Sequence, residues 1–68
     1  MKDYELKFAE DLGINISDLR FIYLQESRRV FLFFKIVIDS DEKLFDAVEN
    51  LWDTLIDKGW TLVSFCYI

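Results

Sequence analysis

DSDEKLFDAVENLWDTLIDK, residues 39–58, carries the strongest periodic signal in the chain. Leu44, Phe45, Ala47, Val48, Leu51, Trp52, Leu55 and Ile56 recur at spacings of three and four, which gathers them on one broad helical face wide enough to cover a sheet. Glu42, Asp46, Glu49, Asp53 and Asp57 follow at steps of four, three, four and four, so five carboxylates form a stripe along the opposite face with no base among them. Asp39 or Ser40 is placed to cap this helix. Glu42 stands three residues after Asp39 as in a capping box, and Asp41 and Glu42 suit the positive end of the helix dipole. Lys58 suits the negative end, and Gly59 stops the helix.

Upstream, LRFIYL (residues 19–24) is aromatic and β-branched, and after the polar QESRR the pattern resumes as VFLFFKIVID. A hairpin with its turn near Ser27 is the simplest account. Its second strand, residues 30–38, is apolar on both faces, with Val30, Leu32, Phe34, Ile36 and Ile38 on one and Phe31, Phe33 and Val37 on the other; only Lys35 interrupts it. A strand of that kind asks to be covered twice. Downstream, WTLVSFCYI alternates Trp60, Leu62, Ser64 and Cys66 against Val63, Phe65 and Tyr67, as a third strand does. The first segment fits two patterns: Tyr4, Leu6 and Phe8 alternate like a strand, while Tyr4, Phe8, Ala9 and Leu12 share a helical face. Gly13 at a left-handed cap position favours a helix ending at Leu12.

The expected fold class is therefore α+β: a small single domain spanning residues 1–68, with a three-stranded, largely antiparallel sheet built from a hairpin, a crossover helix and a last strand. One long helix packs on the sheet, and a short helix precedes it. The layout is compatible with a truncated ferredoxin-like arrangement. One helix of about 18 residues, roughly 27 Å long, covers one sheet face only. The N-terminal helix, a second copy of the chain or a partner protein must cover the other, so a homodimer or a partner-bound subunit is expected.

At 68 residues the chain is near the lower limit for an unassisted core, and its composition meets that demand with 53% hydrophobic and 18% aromatic residues. Cys66 is the only cysteine, which excludes an intrachain disulfide and a thiol-based zinc site. The acids in MKDYELKFAEDLG do not fit a signal peptide, and no apolar run approaches the roughly 20 residues of a membrane span. A cytoplasmic protein of a bacterial or phage-infected cell is expected, with no membrane partner.

Charge is unevenly placed. Residues 1–35 hold six bases and six acids, whereas residues 39–58 hold seven acids against Lys43 and Lys58, which is the whole net charge of -5. Such a field repels nucleic acid and attracts basic protein surfaces. Without histidine, and with no serine beside a base or a glycine elbow, catalysis is not expected, nor is any cofactor. Asp39, Asp41 and Glu42 lack the glycine and downstream ligands of a calcium loop, so no metal site is expected either. Arg28 and Arg29 polarise the hairpin turn, Trp52 and Trp60 are candidate interface anchors, of which Trp52, on the apolar face of the helix, reads rather as core, and Cys66 reads as an inert small hydrophobe.

The stripe remains the best functional clue. Like charges four apart cost a helix about 0.2–0.5 kcal/mol per pair, and interspersed lysines would give solubility without that cost. Carboxylates about 5–6 Å apart over some 22 Å approximate the charge spacing of a nucleic-acid backbone. The expected function is a non-catalytic, protein-binding inhibitor or modulator that presents Glu42, Asp46, Glu49, Asp53 and Asp57 to a larger basic target, without binding nucleic acid itself. Small size, acidity and aromatic content together resemble phage-encoded inhibitors, including anti-CRISPR and other anti-defence proteins, some of which mimic DNA. Alternatives are a homodimeric regulatory module binding a metabolite through Thr61, Ser64 and Tyr67, or a structural subunit of a larger complex.

Overall fold

A computed structural model describes residues 2–68. Helix α1, Asp3–Leu12, is followed by a short 3-10 turn at Ile16–Asp18, and strands β1 (Leu19–Leu24) and β2 (Arg29–Phe34) form the hairpin. Helix α2, Asp41–Asp57, then leads to strand β3, Thr61–Tyr67. The sheet order is β1-β2-β3; β1 and β2 are antiparallel, while β2 and β3 are parallel. The fold is thus the expected α+β arrangement with a mixed sheet. Because β2 and β3 are direct neighbours, the crossover is an unsplit βαβ unit rather than the split unit of a ferredoxin-like sheet.

Helix boundaries follow local chemistry. Ser40 caps α2, its Oγ accepting the Lys43 N–H at 3.3 Å, and Asp39 lies outside the cap. With Ser40 at the cap, the third helical position is Lys43, so Glu42 forms no capping box and stays in the stripe. Both helices end in the same motif. Gly13 (φ 69°) and Gly59 (φ 84°) adopt the left-handed conformation. Each is followed by a residue whose N–H reaches back five positions, Ile14 to Ala9 and Trp60 to Leu55. The hairpin turn falls at residues 25–28, with Arg28 itself left-handed at φ 56°.

The core forms where α1 and α2 lie together on one face of the sheet. Val30, Leu32 and Phe34 of β2 are sealed against Phe8 and Leu12 of α1 and Leu44, Leu51 and Leu55 of α2. Phe8 sets its ring 6.2 Å from Phe21 and 6.1 Å from Phe34, which fixes α1 over β1 and β2. The N-terminal helix therefore shares the side of α2 and does not cover the second sheet face.

Two expectations about the strands are corrected. Strand β2 ends at Phe34 and not at Ile38, because the chain must climb to the helical layer; Ile38 becomes buried, its N–H on the Tyr67 hydroxyl, while Val37 is exposed. The simple alternation expected for β3 also fails. Its register against β2 shifts by one residue between Val30 and Phe31, so Leu62 and Phe65 both align with core-facing residues, Val30 and Leu32.

Trp52 is corrected as well. Phe45, Trp52 and Ile56 are 59%, 48% and 54% exposed, whereas Leu44, Ala47, Val48, Leu51 and Leu55 are buried. The apolar arc of α2 is wider than its neighbours can cover. Replacing Leu55 by Ala should cost about 2–5 kcal/mol, out of a total of roughly 3–10 kcal/mol for a chain of this length. Trp52→Ala should cost less than about 1 kcal/mol. Urea denaturation of both variants checks the contrast.

Candidate functional site

Helix α2 presents two exposed strips side by side. All five predicted residues, Glu42, Asp46, Glu49, Asp53 and Asp57, are exposed on its outer surface, brought together as the sequence spacing requires. Among the described residues the ion pair is Lys7–Asp11 at 3.1 Å, on α1, and no stripe carboxylate has a basic partner among them. The second strip was not anticipated as a surface. Phe45, Trp52 and Ile56 recur at steps of seven and four, along the flank of α2 between the carboxylates and the core.

That flank overhangs the outer edge of the sheet. A groove of about 610 Å³ lies between Phe45, Val48, Glu49 and Trp52 on the helix and Leu62, Val63, Ser64 and Phe65 on β3. Four consecutive strand residues contribute, so both faces of β3 are reached, which happens only at an edge. Glu49 belongs to the stripe and the groove together. The other polar lining group is Ser64; Thr61 lies outside the groove, and the Tyr67 hydroxyl accepts the Ile38 N–H at 3.3 Å. Among the described residues no group of three or more His, Cys, Asp or Glu side chains is arranged to hold a metal ion. No helix there is long and apolar enough to cross a membrane.

A further cluster joins α1 to β1 at the hairpin end of the sheet. The Tyr23 hydroxyl donates to Glu5, and with its single proton so engaged it accepts from the Tyr4 hydroxyl at 2.8 Å. Lys2 sits 3.5 Å above the Tyr23 ring, and Trp60 meets that ring edge-on at 5.2 Å. Arg28 lies 5.4 Å from the Trp60 ring, so one of the two hairpin arginines stacks on an aromatic instead of only polarising the turn. Burial, and then the hydrogen bonds to Glu5 and Tyr4, push the Tyr23 phenol above the usual tyrosine range, so it is a locked donor and not a nucleophile. Sequence periodicity carried no sign of this set, because its members are 18 and 19 residues apart.

No protein-family model matches the chain, and neither a curated protein nor a solved structure does so.

A raised folded-state value for Tyr23 means that its contribution to stability is intact below the ordinary tyrosine pKa near 10 and is lost as pH rises above it. Alkaline unfolding, followed by circular dichroism, should begin above about pH 10 in the native chain. Tyr23→Phe should be less stable at neutral pH by about 1 kcal/mol or more, because Glu5 and Tyr4 lose their partner, and should show a weaker dependence on alkali.

The stripe allows an independent check. Asp53 has like charges four positions away on both sides, Glu49 and Asp57. Asp53→Asn removes two repulsive pairs and should raise stability by about 0.4–1 kcal/mol at low salt, an advantage that fades as salt is added.

Proposed function

We propose that this chain is a non-catalytic, protein-binding inhibitor or modulator that presents the outer surface of α2 to a larger, basic target, in the manner of anti-CRISPR and other anti-defence proteins. The observation that carries this reading is the coincidence, on one helix, of five carboxylates that form no ion pair among the described residues and an exposed apolar row, Phe45, Trp52 and Ile56. Charge supplies steering and register; the aromatic and aliphatic side chains supply burial at the centre of a contact. Each does what the other cannot. Carboxylates at intervals of about 5–6 Å can occupy a groove that normally holds a nucleic-acid backbone, so the target class is a nucleic-acid-binding protein, and nucleic acid itself is repelled. The setting that fits such a target is the cytoplasm of a bacterial or phage-infected cell.

The metabolite-binding alternative is less well supported. The groove beside β3 offers only Glu49 and Ser64 as polar lining, too few convergent groups to orient a small polar ligand.

The test is a tagged pull-down from host lysate at low and high salt, using the native chain, a variant with Asp46→Asn, Glu49→Gln, Asp53→Asn and Asp57→Asn, and Trp52→Ala. The expected outcome is a basic, nucleic-acid-binding protein that the native chain captures and high salt releases. Its affinity should fall by about tenfold or more in either variant, and the native chain should displace its nucleic acid. Equal capture by the native and charge-neutralised chains would reduce the stripe to a solvated face.

A further inference from the structure

The outer edge of β3 carries unpaired backbone groups beside the groove. The Ile68 N–H donates to the Phe34 carbonyl at 2.9 Å, and Phe34 and Leu32 are aligned with Tyr67 and Phe65. In a parallel ladder the residues on either side of an aligned one make the bonds, so Tyr67 and Phe65 turn their own N–H and C=O outward. β3 has no strand beyond it, and no turn or loop among the described residues pairs with these groups. The register shift lies on the N-terminal side of both, so this stretch of the edge is regular. Across the groove stand Phe45, Glu49 and Trp52 of α2, and Glu49 is the one charged residue in the lining among the described residues.

We propose that the groove receives an extended segment of the basic partner, which adds a fourth strand to the sheet along β3. This rests on the reading of α2 given above and names the part of the partner that meets it. The free backbone groups choose the conformation of the occupant. A helix or a compact ligand in the groove would bury the outward N–H and C=O of Phe65 and Tyr67 without partners, whereas an extended chain supplies an acceptor and a donor at each.

Glu49 chooses its charge. A strand added about 4.8 Å beyond β3 lies beneath the overhanging flank of α2, so every second side chain faces Phe45, Glu49 and Trp52. Apolar side chains suit the two aromatics, and a Lys or Arg between them suits Glu49. A second copy of this chain is a poor donor, because it brings its own charge of -5 and a second acidic helix to a groove that already holds a carboxylate. The free edge of β1 lacks the same selection. The carboxylate in the groove beside it is Glu5, which already accepts from the Tyr23 hydroxyl.

The probe is the synthetic peptide acetyl-Thr-Val-Thr-Lys-Thr-Val-Thr-amide, which sets Val, Lys and Val on one face of a strand. It is added to the full, isotope-labelled chain, and amide exchange and chemical shifts are read by NMR. In the free chain the Phe65 and Tyr67 amides should exchange at least about tenfold faster than that of Cys66, and about 2 mM probe should slow them about tenfold. Glu49→Gln should weaken binding about threefold, and a probe with Glu in place of Lys should bind about tenfold more weakly. Methylating alternate amide nitrogens of the probe should abolish the protection in one phase and spare it in the other. Shifts confined to α2 while Phe65 and Tyr67 exchange as in the free chain, or no binding at that concentration, overturn the added strand and leave the reading of α2 standing. Equal protection by the Lys and Glu probes overturns the basic partner and counts against that reading as well.

Discussion

A strand that is apolar on both faces, in a chain with only enough helix to cover one, is the constraint on which the rest of this structure depends. Val30, Leu32 and Phe34 are excluded from solvent by α1 and α2 acting as a single layer. Among the described residues no further element covers Phe31 and Phe33. The hydrophobic term is spent on one side, where each fully buried aliphatic or aromatic side chain contributes about 1.5–3 kcal/mol. That concentration is what lets so short a chain hold a core. It also produces a body with two unlike outer surfaces, an acidic helical side and an apolar sheet side bordered by arginine.

The position of α1 determines which part of α2 is exposed. With Phe8, Ala9 and Leu12 packed into the same core, α1 takes up one flank of α2. The other flank overhangs the last strand of the sheet, where Phe45 and Trp52 face only the edge of β3 and Ile56 is left exposed. The row is a consequence of sheet width. A fourth strand beyond β3 would bury it and would remove the groove.

Much of this was legible locally. Strand β1 has the bounds its aromatic and β-branched run suggests, and the two glycines mark the helix ends, because the left-handed conformation they adopt is a property of single residues. The carboxylate stripe was legible for the same reason: helical periodicity places residues on a face whatever lies opposite. The remainder depends on neighbours. Nothing in VFLFFKIVID marks where pairing stops, since Ile38 is as apolar as Phe34; only the climb to the helical layer separates them. The shift at Val63 reverses the phase of β3 without leaving a Gly or Pro behind. Trp52 is indistinguishable by spacing from Leu51 or Leu55 on a broad apolar arc, and its exposure reflects the width of the sheet below. The Tyr4–Tyr23–Glu5 relay arises from two elements whose contact periodicity does not encode.

The stripe bears on affinity as well as on charge. Its carboxylates repel one another along α2, and Asp57 stands at the negative end of the helix dipole, where a carboxylate is unfavourable. The helix tolerates this because Leu44, Ala47, Val48, Leu51 and Leu55 hold it from the opposite side, so the repulsion is stored in a folded element and does not unwind it. For the basic partner proposed above, a surface laid along α2 would relieve that repulsion at the same time as it formed new pairs. Part of the free energy of such an association would then come from a repulsion that the chain carries when free, and the core beneath would keep the carboxylates in register, so that little ordering cost would be incurred on contact. The position of the apolar row beside the stripe and not within it suits the same proposal: side chains desolvated at the groove would strengthen flanking ion pairs by excluding water, while the carboxylates on the far side would stay solvated in the free chain.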